Sequence, residues 1–245
     1  MEGPESLGGG VKIYVSRAHR FGTDGFLLSD FCAAGKGEVA ADLCSGCGIV
    51  ALLWYRRRER APARCHCVEV QPEAAALLER SAGESGLQGE ILPLCRDLRA
   101  LTREDIPSAS CDLVSCNPPY KAAGRGIESA REHALKARHE ALCTLTDVCT
   151  CAARILKVGG RLCLCQRPER LPEVFAAMQE AGIEPKRMRL VQKRGNTPPW
   201  LVLIEGRRGG RPFLKVEAPL LIQDGQGGFS AELRQIYGWE GKIDG

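Results

Sequence analysis

The chain has 245 residues, 44% hydrophobic and 26% charged, with a formal net charge of +4. That size and balance suit one α/β domain whose core needs no disulfide staples, and the charge is too mild to require a polyanionic partner. No apolar run approaches the ~18 residues of a membrane helix, and "MEGPESLGGG" lacks the basic then apolar order of a signal peptide. A cytoplasmic protein with no membrane partner is expected.

Residues 1–30, carrying "RFGTDGFLLSDF", precede the first strand and are expected to form an N-terminal extension packing on the cofactor site, ahead of a single domain over 31–245. "GEVAADLC" (37–44) reads as a strand and "GIVALLWYRRR" as the helix after it. "RCHCVEV" (64–70) is a second strand, followed by the helix "PEAAALLERSAGESG" with Pro72 in its first turn. "EILPLC" and "CDLVSC" supply two more strands. Residues 121–137 then make a loop long enough to be functional or disordered. A helix is expected from roughly Leu142 to Lys157, ended by Gly159-Gly160. "RLCLCQ", a helix from Pro172 to Ala181, and an antiparallel hairpin of "KRMRLVQ" and "WLVLIEG" around "KRGNTPP" complete the chain. Strands alternating with helices imply an open, mainly parallel sheet.

Thirteen cysteines, an odd number, argue against a complete disulfide framework. The CxC pairs Cys65/Cys67 and Cys163/Cys165 each share one face of a strand, which suits reduced thiols acting as small core hydrophobes. Cys44-x-x-Cys47 could open a zinc or iron–sulfur site, but no second CxxC or His pair answers it, so no metal is expected. From Pro185 to Lys215, nine Lys or Arg face one acid, Glu205. That stretch is either a solvated face or an RNA-binding surface.

"DLCSGCGIVA" (42–51) joins the first strand to its helix, and Gly46 and Gly48 let the backbone turn tightly at a helix N-terminus. Gly46-x-Gly48-x-x-Ala51 with Glu69 about twenty residues on also satisfies a dinucleotide fingerprint. The loop alone therefore fits NAD or S-adenosylmethionine. Asp42 at the end of strand one, suited to an ammonium, and Asp97 after strand three, suited to an adenine amino group, favour S-adenosylmethionine.

Strand four runs into Asn117-Pro118-Pro119-Tyr120. A proline after Asn117 holds it extended, so the Asn117 amide oxygen and the Pro118 carbonyl can both accept from one planar –NH₂ group. Tyr120 offers a stacking face. Such a site works by positioning and electrostatics, without a metal or a strong base.

Asp42-x-x-x-Gly46-x-Gly48, Glu69, Asp97 and "NPPY" resemble the class I S-adenosylmethionine-dependent amino-methyltransferases. "FGTDGFLLSDF", "VEVQPEA", "ARHEALCTLTDV", "RPERL", "EPKRM" and "LIEGRRGGRP" further resemble the bacterial valine-tRNA (adenine-37, N6) methyltransferase family, over approximately residues 12–240. The resemblance implies a Rossmann-like, seven-stranded sheet, mainly parallel with an antiparallel C-terminal hairpin. It implies methylation of the 6-amino group of adenine in tRNA beside the anticodon, with Phe21 and Thr23 joining Asp42, Gly46, Gly48, Glu69 and Asp97 at the cofactor. Arg138, Arg207, Arg208 and Arg211 are then candidate RNA contacts. One departure is Cys44, where the general class has glycine; a cysteine excludes only a backbone conformation that demands glycine. Three rivals stand against this reading. A release-factor glutamine methyltransferase would use the same motif but usually carries a helical N-terminal domain. A non-catalytic RNA-binding module would not need the Asn117 pocket. A NAD-dependent oxidoreductase lacks a hydride-transfer constellation here.

Overall fold

The computed structural model describes residues 3–118 and 143–239. The chain opens with a hairpin, β1 (Glu5–Gly8) and β2 (Val11–Ile13), then helix α1 (Thr23–Cys32). Next come β3 (Val39–Leu43), α2 (Ile49–Trp54), β4 (Arg64–Glu69), α3 (Pro72–Glu84), β5 (Ile91–Cys95) and β6 (Cys111–Cys116). The C-terminal half holds α4 (Leu145–Ile155), β7 (Leu156–Gln166), α5 (Leu171–Glu180), β8 (Ile183–Gln192) and β9 (Pro199–Arg208). Two short strands, β10 (Lys215–Val216) and β11 (Leu220–Leu221), flank β8, and α6 (Ala231–Tyr237) closes the described chain.

The seven long strands of the sheet run in the order β8-β9-β7-β6-β3-β4-β5. All neighbours pair in parallel except β7–β9 and β8–β9. This is the expected α/β architecture with its antiparallel C-terminal hairpin. Strand order reverses between β3 and β6, so a crevice opens beyond their carboxyl ends, where ligands bind in such sheets.

Parallel strands buried on both faces need apolar residues throughout, and the two faces build two clusters. One joins Cys65, Cys67, Cys163 and Cys165 to α1, α2 and α3. The other joins Leu43, Val114 and Leu162 to α4 and α5. Each CxC pair therefore shares a face, and all thirteen cysteines are free thiols. Cys44 and Cys47 diverge: Cys47 enters the first cluster while Cys44 packs against the second. No helix among the described residues is long and apolar enough to cross a membrane.

Three local expectations change. The helix expected through "WYRRR" stops at Trp54, and the Arg56 guanidinium instead donates to the carbonyls of Ile236 and Tyr237. Helix α4 starts three residues late, where Thr144 and Asp147 form a capping box, and ends at Ile155. Gly159 and Gly160 lie inside β7, because buried Leu156 already pairs with Cys111; the ladder then slips to Leu113–Arg161 around Gly159 at φ +81°. Residues 1–30 also hold regular structure. The β2 segment is tied to α3 through the Ser85 and Ser81 hydroxyls, which accept from Lys12 and Tyr14 N–H. Helix α1 runs on past residue 30, with Phe26, Leu27 and Leu28 in the sheet core.

Gly48, at φ +89°, turns the chain into α2, and a Cβ there would stand 2.2 Å from Leu78 Cδ1. Gly48→Ala combines left-handed strain with this overlap and is expected to cost ~2–4 kcal/mol. Urea unfolding measures it directly; a loss under ~1 kcal/mol would mean that α3 recedes without penalty.

Candidate active site

Four loops meet at the β3–β6 crevice. The first follows β3, where Cys44, Gly46 and Gly48 all take positive φ, at 57°, 55° and 89°. Cys44 thus adopts left-handed backbone, which favours glycine without demanding it. The strain, ~1–2 kcal/mol, is borne by a loop fixed on both sides. Ser45 N–H donates to Val68 O at 3.0 Å and Gly48 N–H to Ser45 O at 2.8 Å.

Glu69 ends β4 and is 5% exposed. One carboxylate oxygen accepts from Gly46 N–H at 2.8 Å, the other from Gln71 N–H at 2.9 Å. The residue expected to receive ribose hydroxyls therefore first clamps two loops together. A carboxylate offers about four lone-pair sites, so acceptor capacity remains on the cleft side. Asp97 is half-buried, accepts from Arg99 N–H at 2.9 Å and pairs with its guanidinium at 2.6 Å. Those Arg99 hydrogen bonds hold the Asp97 carboxyl below its ordinary range. Both acids line an open cleft of about 240 Å³ together with Gly46, Val68, Gln71, Leu98 and Asn117.

A second chamber of about 180 Å³ adjoins it, lined by Arg20, Phe21, Asp24, Asp42, Ser45 and Asn117 among others. Asp42 is 1% exposed; Ser115 Oγ donates to its Oδ1 at 2.6 Å, while Oδ2 is buried without a hydrogen-bond partner among the described residues. Ser45 Oγ is a second buried atom without one. Burial pushes the Asp42 carboxyl up to about 7, against the pull of the Ser115 hydroxyl and with added repulsion from Glu69. The Ala51 N–H also pulls it down. An acceptor and a hydroxyl left open in one chamber suit a ligand carrying an ammonium, and buried polar atoms in this state need such a partner. Thr23 is expected at the cofactor but lies outside both linings; its Oγ1 bonds Tyr237 Oη at 3.0 Å, with the Tyr237 ring stacked on Phe26 at 4.1 Å.

Asn117 joins both cavities. Its Nδ2 donates to Asp24 Oδ2 at 3.1 Å, and Cys165 Sγ donates to its Oδ1 at 3.1 Å. Pro118 is buried beside it, whereas Tyr120 and Arg138 lie outside the described residues. Asp24, Gln71, Ser45 and Cys165 carry no role in the sequence reading. Asp24, Gln71 and Ser45 had a signal, their places within "FGTDGF", "VEVQPEA" and "DLCSGCGIVA"; Cys165 read as a core thiol.

Arg207, Arg208 and Arg211 are not brought to the site. Arg207 pairs with Arg161 near the start of the parallel run, opposite Leu113, and Val202 pairs with Gln166 near its end. Five strand residues, about 17 Å, separate Arg207 from the crevice edge. Arg207 donates to Gly159 O at 3.2 Å and Arg208 to Leu156 O. The basic loop expected to contact RNA therefore stands at the amino edge of the sheet. The turn between β8 and β9, with exposed Lys193 and Arg194, stands at the crevice edge instead.

The sheet order, the glycine turn and the paired acids define a class I methyltransferase. Residues 20–180 match the family model "Methyltransferase small domain", and the chain belongs to that family. It is similar to a protein of Histophilus somni named tRNA1(Val) (adenine(37)-N6)-methyltransferase, 25% identical over 89% of both chains. A protein of the same name from Pectobacterium carotovorum is 27% identical, over 89% of this chain and 86% of that one. The fold superposes on a predicted O-methyltransferase from Agrobacterium tumefaciens with a TM-score of 0.70 at 22% identity, over 88% of this chain and 95% of that one. The protein is an S-adenosylmethionine-dependent methyltransferase.

Raised to about 7, Asp42 binds a proton in the folded protein that it lacks in the unfolded chain between roughly pH 4 and 7. Its contribution to stability is therefore full below about pH 4 and lost as pH climbs through 7. Asp42→Asn should flatten that part of the urea-unfolding profile. An ammonium against Oδ2 favours the carboxylate, so calorimetry near pH 6 in two buffers should show proton release when S-adenosylmethionine binds. The same buffer dependence in Asp42→Asn would assign the proton elsewhere.

Proposed function

We propose that this enzyme transfers the methyl group of S-adenosylmethionine to the 6-amino group of adenine in RNA, in a tRNA beside the anticodon. The observation that carries the reading is Asn117, which lines both cavities at once. S-adenosylmethionine supplies a methyl group made electrophilic by its sulfonium.

The chain's own residues divide the work. Asp42 and Ser45 take the ligand's amino-acid end in the smaller chamber; Glu69 adds ribose hydroxyls to the loop contacts it already makes. Asn117 Oδ1 and the Pro118 carbonyl accept the two hydrogens of the target amine, which frees its lone pair for attack. Their contribution is fixed geometry in a partly dry site. Arg20 at the chamber, Arg167 beside Trp200, and Lys193 with Arg194 at the hairpin turn share the crevice edge, where RNA phosphates would lie. The relatives named for adenine-37 methylation of a valine tRNA support the substrate.

Incubating total tRNA, rRNA and a release factor with labelled S-adenosylmethionine, then mapping nucleosides, tests the reaction. N6-methyladenosine in tRNA is expected; label confined to protein glutamine would sink the RNA reading. Asn117→Ala should slow single-turnover transfer by ~10²–10³ at saturating cofactor. Lys193→Ala with Arg194→Ala should raise the RNA KM and reduce the salt slope by roughly one per lost phosphate contact. Substituting Arg207, Arg208 and Arg211 should leave both nearly unchanged, and the reverse pattern would put RNA on the amino edge.

A further inference from the structure

Asn117 is held from a part of the fold remote in sequence. Asp24 Oδ2 accepts from its Nδ2 at 3.1 Å, and Cys165 Sγ donates to its Oδ1 at 3.1 Å. A carboxamide can flip by half a turn, exchanging donor and acceptor. A carboxylate only accepts, so the end facing Asp24 must be the NH₂. The flipped state would set oxygen against oxygen and turn an NH₂ toward any amine in the cleft.

We propose that Asp24 is a positioning residue for methyl transfer: it locks the Asn117 carboxamide with Oδ1 available to the acceptor amine. The proposal rests on the reading of Asn117 as the group that holds that amine. An amide oxygen offers two acceptor sites, so the Cys165 thiol and an amine can share Oδ1. An ionised acceptor on Nδ2 also polarises the amide and strengthens Oδ1 as an acceptor.

The fold gives Asp24 a rigid place. It is the second residue of α1, and its Oδ1 accepts from Gly25 N–H at 3.1 Å. Gly25 lets this turn approach the start of α2: a Cβ there would stand 2.7 Å from Ile49 Cγ2. Ile49 follows Gly48, so α1 is seated on the same turn that shapes the cofactor loop. One short helix thereby links the cofactor side of the site to the amide on the acceptor side. Tyr237 braces the helix from α6, its ring stacked on Phe26.

The test is a double-mutant cycle in the full chain, read by single-turnover transfer to RNA at saturating cofactor. Asp24→Ala should slow transfer ~10- to 100-fold with the RNA KM little changed. Asp24→Asn, which keeps a neutral acceptor, should recover much of that loss; a residue needed only for folding would show no such rescue. Adding Asp24→Ala to Asn117→Ala should cost nothing further, because the two act as one unit. A normal rate for Asp24→Ala, or losses that multiply in the double variant, overturns the proposal. If the wild-type chain methylates a glutamine amide and no RNA, the same cycle on that acceptor decides the role of Asp24 while the RNA reading falls. The ¹⁵N–¹H resonances of the Asn117 side chain report the contact without any acceptor. They should shift and broaden in Asp24→Ala, and unchanged resonances also overturn the proposal.

Discussion

The site depends first on a buried carboxylate bridging two loops. Glu69 receives Gly46 N–H on one oxygen and Gln71 N–H on the other. A carboxylate taken out of water must be paid back in hydrogen bonds, and here the donors are the very backbone groups that must be held still. Charge-assisted bonds of this kind are shorter and stronger than neutral ones. The glycine loop after β3 and the turn after β4 are thereby held together by one side chain.

That clamp makes the strained turn after β3 tolerable. Three of its five residues, Cys44, Gly46 and Gly48, sit in left-handed backbone. Two of them pay no Cβ penalty and one does. The strained Cys44 borders Cys116 and Cys143; the Cys116 hydrogen bond and burial push its thiol well above the ordinary range, against the pull of Cys143. Asp42, just before this turn, is the complementary feature: a carboxyl whose burial is compensated on one oxygen only. Strain and incomplete compensation concentrate where a ligand can relieve them, as functional sites commonly do.

The two edges of the sheet carry different kinds of arginine. At the amino edge, Arg161 is paired to Glu38 on both carboxylate oxygens, Arg187 is bonded to Glu205 and lies over the Phe31 ring, and Arg207 and Arg208 hold carbonyls of β7 and the turn within it. These cations are largely spent on the fold. At the carboxyl edge, Lys193 and Arg194 stand exposed on a hairpin turn. The difference follows from strand polarity: β9 runs against β7, so the basic end of one sequence stretch is carried away from the crevice while its middle turn is delivered to it.

Much was legible in the residues. Alternating apolar strands and helices fix a doubly wound sheet because each element must bury one face or both. Positive-φ glycines at 46 and 48, the acid ending β4, and Asn-Pro after β6 lie at strand ends, where topology alone places a crevice. The CxC pairs fell on one face because strand period is two. What sequence could not yield were contacts between residues far apart in the chain. The Asp24–Asn117 bond spans 93 positions and the Cys165–Asn117 bond 48. The half-compensated Asp42, the release of Thr23 to Tyr237, and the removal of Arg207 to the far edge are of the same kind. Local propensity and spacing act over a few residues, whereas these were decided by which strands lie side by side and in which direction, and that is settled only when the whole sheet closes over its core.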